Sequence, residues 1–314
     1  MISGENGILK QVKNAQEKTQ SSSIKEERQL TQILASMNTE TYLYEDICDN
    51  KKVQVPIPAG FSISNIEEER NIEKGLVVMD YLGNEFVWIP ILDADEYQRN
   101  FNYPSNYESY LEYTPSNSTF TDTGYLPEGI QPKIDEALNN EEAEKNAVLK
   151  YNGFYVSRYE AGNDNEKIVS KKDSKVWINI NYTCAKLISK DMYNTDKVKS
   201  ALCSGIQWDM IMNFVDGKGD GRNEVFNVKV MDTKRHTGNL LQSGKNESDR
   251  VQNIYDLEGN CSEWVAEKTN IKNEPYVNRG GYFGNKYGTA ASARNSNGDR
   301  EYDRKSFRVV LYVM

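Results

Sequence analysis

The side chains best suited to chemistry in this 314-residue chain are few: one histidine, His236, and four cysteines, Cys48, Cys184, Cys203 and Cys261. A single imidazole cannot build a site that needs two or three histidine ligands. No Cys-x-x-Cys occurs, which removes zinc-ribbon and thioredoxin-type readings. A histidine-based triad needs an activated serine nearby, yet Lys234-Arg235-His236-Thr237 has no nucleophile-elbow context. His236 therefore reads as a surface-loop residue. Asp216-Gly-Lys-Gly-Asp-Gly221 resembles a calcium loop, but Lys218 takes a ligand position and Asn227 stands where a bidentate Glu is required. A flexible acidic turn is the better reading. The spacing of Cys184 and Cys203 leaves a disulfide between them open. Cys261, in a strand-like apolar setting, reads as a buried thiol.

The chemistry that remains is recognition. The last sixty residues set short β-branched and aromatic strands on either side of a run of Asn, Gly, Ser, Tyr, Asp and Arg. Loop chemistry held between strands is how a rigid scaffold presents a binding surface. Tyr, at 20 residues against nine Phe and four Trp, offers large contact area with a polar tip, and it suits aromatic strands equally well. With 47 acidic and 38 basic residues the net charge is −9, which argues against a dedicated nucleic-acid or anionic-membrane binder. No apolar run approaches the roughly 18 residues that a membrane span needs.

The elements that must position this segment follow from periodicity. Residues 5–37 read as helix, with Ile8, Leu9, Val12 and Ala15, then Leu30, Ile33, Leu34 and Met37, at three- and four-residue spacings. The Ser21-Ser22-Ser23 run marks a break or a new N-cap. From Val53 the period becomes two, and Pro56 and Pro58 assign residues 53–61 to an edge strand. Residues 75–81 and 85–91 flank Leu82-Gly83-Asn84 as a hairpin. Residues 92–130 read as a long surface loop and 132–150 as a helix with Pro near its first turn. A strand over 153–160 and helices around 181–192 and 204–214 follow. Residues 216–250 are polar and Gly-rich, and no internal repeat is visible.

Five motifs recur in a familiar order: Tyr159-Glu160, Gly205-Ile-Gln-Trp-Asp209, Asp256-Leu-Glu-Gly-Asn260 with Glu263-Trp264, Arg279-Gly280-Gly281, and Phe307-Arg308. Together they resemble the formylglycine-generating-enzyme (sulfatase-modifying factor) branch of the C-type lectin fold. Phe86-Val-Trp-Ile-Pro90 and the strand from Gly153 further resemble uncharacterised surface and prophage proteins of Gram-positive bacteria. Residues 1–15 are similar to the stretch after the hydrophobic helix of type IV pilin-like proteins, which implies that a membrane-embedded helix precedes Met1 in the intact protein. The expected fold class is thus α+β: a helical, pilin-like stem over 1–50, a leading strand and linker over 51–74, and a C-type-lectin-like domain over 75–314. In that domain Phe86–Ile91 should pair with Arg308–Val313, and Trp264 and Phe307 should be buried.

Independently of any family, Gly259-Asn260 offers positive φ at a turn before a strand, and Arg279 can satisfy buried carbonyls or carboxylates. The catalytic relatives bind copper through two cysteines after Arg-Gly-Gly, and related iron enzymes use histidines. Here that stretch is Tyr282-Phe-Gly-Asn-Lys-Tyr-Gly288, with no Cys after Cys261. No catalytic residue, metal or cofactor is therefore expected. The resemblance instead implies an exposed face between Arg-Gly-Gly and Phe-Arg. In variable proteins of diversity-generating retroelements this stretch is the one rewritten by adenine-directed mutagenesis. Tyr282 replaces the usual Ser there, as a rewritten codon would. Ser306 replaces the usual Gly, which puts the local turn in question. The expected ligand-binding residues within 282–303 are Tyr282, Asn285, Lys286, Tyr287, Asn295, Ser296, Asn297, Asp299, Arg300, Glu301, Tyr302 and Asp303.

The function so implied is a non-enzymatic, surface-displayed bacterial binding protein. Its partner would be a protein or glycan, with membrane or pilus contact made only through an N-terminal segment. The alternatives are a structural pilus or cell-envelope subunit and, less in keeping with the missing cysteines, a remote formylglycine-generating-type enzyme.

Overall fold

The computed structural model describes residues 3–100, 109–111, 141–219, 225–284 and 289–314. One helix, α1 (Ser3–Met37), opens the chain and runs unbroken through Ser21–Ser23. The serine run interrupts nothing because serine on an exposed helix face costs only a few tenths of a kcal/mol. Leu30, Ile33, Leu34 and Met37 are exposed, while Thr31 and Ala35 face the body of the protein. The helix is attached by polar groups. Arg28 donates to Glu69 at 2.9 Å and lies 2.7 Å from Glu85, the Thr31 hydroxyl accepts the Asn65 amide, and Asn38 caps the Pro58 and Phe61 carbonyls. Residues 13–26 are exposed on every face.

Strands β1 (Tyr42–Cys48) and β2 (Lys51–Ile57) then form a hairpin, so strand structure begins inside the region read as stem. Its turn residues, Asp49 and Asn50, have φ of 48° and 60°, as a tight two-residue hairpin turn requires. After β3 (Phe61–Ile63), the predicted hairpin forms as β4 (Val77–Asp80) and β5 (Glu85–Pro90), with Gly83 at φ 87°. Next come β6 (Ser109–Leu111), α2 (Glu141–Leu149), β7 (Gly153–Ser157), β8 (Gly162–Asp164) and β9 (Lys167–Val169). Most of the long loop, and residues 132–140 of the expected helix, lie outside the described residues. Helix α3 (Tyr182–Asp191) is capped by Asn181. After β10 (Val198–Leu202), α4 (Gly205–Val215) starts at a Ser204–Gln207 capping box. The chain ends with β11 (Arg250–Val251), β12 (Ile254–Tyr255), β13 (Ser262–Thr269), β14 (Tyr276–Arg279), β15 (Arg294–Asn297), β16 (Lys305–Phe307) and β17 (Val309–Val313).

The molecule is α+β. Six strands make one antiparallel sheet in the order β10-β17-β7-β5-β4-β3. β5 and β17 share this sheet but do not pair, because β7 lies between them and bonds to both. All of β7 is buried, so it belongs in the middle of the sheet, where both of its faces are covered. Alternate residues serve two cores: Val87, Ile89, Val156 and Val310 pack towards α4, and Phe86, Trp88, Tyr155 and Val309 towards α3 and the β1–β2 hairpin. A second sheet runs β15-β14-β13-β16, with β6 also on β13. Trp264 and Phe307 are fully buried, and the Trp264 indole donates to the Ile180 carbonyl at 3.1 Å.

All four cysteines are free and buried. Cys184 and Cys203 fall in different cores, so no bridge joins them. Burial pushes the Cys203 and Cys261 thiols well above the usual range. A thiol reagent should label four cysteines in denatured protein and react slowly with the native protein. Trp264→Ala should cost about 3–5 kcal/mol in urea unfolding, whereas Ile33→Ser on the exposed side of α1 should change stability by under about 0.5 kcal/mol.

Candidate functional site

The segment between β14 and β16 is held from below by buried charge. Asp209 on α4 accepts from Arg279 at 2.7 Å and from Arg294 at 2.7 Å, and all three side chains are almost wholly buried. Glu267 on β13 meets Arg99 at 2.5 Å, Arg294 at 3.4 Å and Arg279 at 3.5 Å. Arg279 also donates to the carbonyls of Ser292 and Ala293, and the Trp208 indole to that of Ala291. Two carboxylates, and the Arg279 guanidinium backed by the Trp208 indole, thereby fix where the chain turns into β15. Gly280, at φ 70°, permits the turn out of β14, and the Gly281 amide donates to the Glu258 carbonyl at 2.8 Å.

The far end is fixed in the same way. Arg308 makes a two-toothed contact with Glu263, with separations of 2.6–3.2 Å, and donates to the Ser157 and Tyr255 carbonyls. Glu160 accepts from the Asn260 side chain and the Cys261 amide, each at 2.7 Å. The expected positive φ falls on Asn260, at 54°, and on Asp256, at 59°, rather than on Gly259. Gly259 is required for space, because a Cβ there would collide with the Arg235 carbonyl.

His236 is not a surface residue. Its side chain is 3% exposed, with Nδ1 2.9 Å from the Tyr282 carbonyl and Nε2 3.2 Å from Glu258. Burial opposes its charge, but the hydrogen bonds to Glu258 and to the Tyr282 carbonyl outweigh it and raise its pKa. The ring thus anchors the first residue of the candidate segment, a role that its loop sequence gave no sign of.

The expected binding residues divide by environment. Asn285, Lys286 and Tyr287 lie outside the described residues. Asn295, Arg300, Glu301 and Asp303 are exposed, whereas Tyr282, Ser296, Asn297, Asp299 and Tyr302 are half-buried. Ser296 donates to Glu274 at 3.1 Å, and Asn297 bonds to Asn278 across β14–β15. Asp299 turns to α3 and accepts from the Thr183 amide and hydroxyl. Arg300 donates to the Tyr302 hydroxyl at 2.8 Å, and Arg304 to that of Tyr282 at 3.2 Å. The Tyr302 ring centre lies 5.8 Å from that of Trp264, so Tyr302 is partly a core residue.

Lys305 was missed by sequence reading, which ended the segment at Asp303. It is 5% exposed, bonds to Asn297, and holds its ammonium 3.4 Å from the Tyr302 ring centre and 4.7 Å from that of Trp264. Its pKa is pushed down to about 7, first by burial and then by Arg304 and Arg300. Only the alternation of a three-residue strand, which turns Lys305 and Phe307 to the same side, could have revealed this placement.

A cavity of about 590 Å³ opens elsewhere, between Cys48, Glu73, Arg99, Met210 and Lys218. Burial, and then Asp49 and Glu73, push the Cys48 thiol up to about 11, so it offers no thiolate at neutral pH.

No protein-family model matches the chain, and no curated protein does. A solved structure described as that of CarF is similar over 52% of this chain and 87% of its own, at 13% identity and a TM-score of 0.34.

Beneath the face, burial raises the pKa values of Glu160, Asp249 and Asp256, the last to about 7, against the donated Gly244 amide. An ordinary Asp titrates near about 3.9. Between those values the folded protein keeps a proton that the unfolded chain has lost. The contribution of Asp256 is therefore full below pH of about 4 and is lost as pH rises to about 7. Asp256→Asn keeps the acceptor for Gly244 and should flatten this part of the stability–pH curve, measured by urea unfolding at each pH.

Proposed function

We propose that this chain is a non-enzymatic ligand-binding protein of the C-type-lectin-like, formylglycine-generating-enzyme type, displayed on a bacterial surface, with residues 282–303 as its binding segment. The observation that carries the reading is the separation of anchoring from display. Arg279, Arg294 and Arg308 are paired below the segment, while Asn295, Arg300, Glu301 and Asp303 project from it and support none of these pairs. Such a segment tolerates replacement of its outer side chains, which is what a variable protein of a diversity-generating retroelement needs.

The residues do not fit the copper ion of the catalytic relatives. The nearest cysteine in sequence, Cys261, is buried with its thiol held protonated, and the chain after Arg279-Gly280-Gly281 contains no cysteine to supply a thiolate. The structural-subunit reading draws support from the exposed apolar stripe Leu30, Ile33, Leu34 and Met37 on α1, which a neighbouring helix could cover.

The test is a library of chains randomised at Asn295, Arg300, Glu301 and Asp303, displayed and selected against surface proteins and glycans. Most members should melt within a few degrees of the parent, and selected ligands should lose binding when Arg300, Glu301 and Asp303 are all replaced by Ala. Wholesale unfolding of the library would show that the segment is core. A ligand whose binding ignores the triple replacement would place the binding surface elsewhere.

A further inference from the structure

Lys305 is a buried amine set against a carboxamide. Its side chain leaves β16 and ends on Asn297 of β15, where it donates to Oδ1 of the amide. That contact puts Nζ on the order of 3 Å from the amide carbon Cγ, a near-attack distance. The ammonium lies 3.4 Å from the Tyr302 ring centre and 4.7 Å from that of Trp264, and the residue is 5% exposed. Trp264 on β13 and Asn278 on β14 are buried beside it. The Asn297 amide is held from its other side as well: Nδ2 donates to Asn278 Oδ1 and, at 3.3 Å, to the Asn295 carbonyl. Turning the carboxamide away from Lys305 would break these bonds.

A lysine becomes a nucleophile when burial and neighbouring cations strip its proton. Both act here. Burial first, then Arg304 and Arg300, push its pKa down to about 7, against Glu274, which raises it. Near neutrality a large share of the protein therefore carries a free lone pair on Nζ beside Cγ. Water, the competing nucleophile, is screened from the amine by the Tyr302 and Trp264 rings.

We propose that Lys305 and Asn297 join in an intramolecular isopeptide bond. The Nζ–Cγ bond forms, the Cγ–Nδ2 bond breaks, and the amide nitrogen leaves as ammonia. The proton shed by the attacking amine passes to the departing nitrogen, so the step consumes no oxidant and no co-reactant. Among the described residues, Glu274 is the carboxylate whose charge reaches the amine, which makes it the group to relay that proton. Escape of ammonia makes the step irreversible. The bond ties β15 to β16 and closes the loop between them, which carries Arg300, Glu301 and Asp303, into a covalent ring. It forms whether or not the face binds a ligand, and so stands apart from the recognition reading.

The test is mass spectrometry of the full chain after incubation at mildly alkaline pH, where the amine is neutral. The intact mass should fall below that of the sequence by one ammonia, about 17 Da. Trypsin cuts after Arg294, Arg300, Arg304 and Arg308, and a bonded Lys305 resists it. Digestion should therefore yield one branched peptide that joins residues 295–300 to residues 305–308. Hydroxylamine opens the succinimide that Asn297-Gly298 could form with the same loss of mass, and it should leave the branched peptide intact. Lys305→Met and Asn297→Ala should each restore the full mass, and the parent's branched peptide decides the matter if neither variant folds. A parent at the sequence mass, a gain of about 1 Da from deamidation, a loss that hydroxylamine reverses, or a loss that survives both substitutions would each overturn the proposal.

Discussion

Arg279 is fully buried, and a buried guanidinium without its carboxylate is among the most destabilising arrangements a fold can contain. Asp209 meets that constraint, and by accepting Arg294 as well it ties α4, β14 and β15 to one point. Arg308 and Glu263 impose the same condition on β16 and β17 against β13. None of these pairs is a source of large net stability, since desolvation offsets most of the attraction. Their effect is on specificity of position: any register that separates a guanidinium from its carboxylate is penalised by several kcal/mol, so the backbone around residues 289–308 has one low-energy arrangement. The outer side chains inherit fixed positions without contributing to them.

The two sheets divide the work. The six-stranded sheet is covered on both faces and supplies the two cores, which makes it the rigid floor of the molecule. The five-stranded sheet is shared between core and surface. Trp264 and Val265 point to opposite cores from consecutive positions of β13, while the neighbouring β15 exposes Asn295. Tyr276 stacks on Tyr182 of α3, with ring centres 4.3 Å apart, which joins the polar face to the helix that backs it.

Much of this was legible in the chain itself, and the misses have physical reasons. The strands at 77–80, 85–90 and 153–157, and the helices α3 and α4, follow from local patterns that act within a few residues. The burial of Trp264 and Phe307 follows from their types, because little else in a polar stretch can fill a core. Pairing order was not legible: β7 between β5 and β17 is a contact of high sequence separation, and an apolar run carries no register. The single helix through Ser21–Ser23 was hidden because serine is as common at caps as on exposed helix faces. His236 and Lys305 were misjudged for a related reason. Each is polar in a polar stretch, and each is buried by residues distant in sequence: Glu258 and Tyr282 in one case, Trp264 in the other. The positions expected to contact a ligand were assigned by their place between two motifs, and burial separates the outward ones from Tyr302, which also supports Trp264.

The way α1 joins the body has a mechanical consequence. Its last turns are fastened by Arg28, Thr31 and Asn38, each through hydrogen bonds or ion pairs only a few ångströms in range. Grease between packed surfaces yields gradually under load because contacts slide; short polar fasteners hold until they break. A pull applied at Ser3 against an anchored Met314 is therefore carried as tension along a bare helix to a brittle joint. That joint would part at Glu69 and Glu85 before the six-stranded sheet behind it begins to shear. A helix attached in this manner is a lever that can swing free of the body while the chain through residues 38–41 still holds it to a folded sheet.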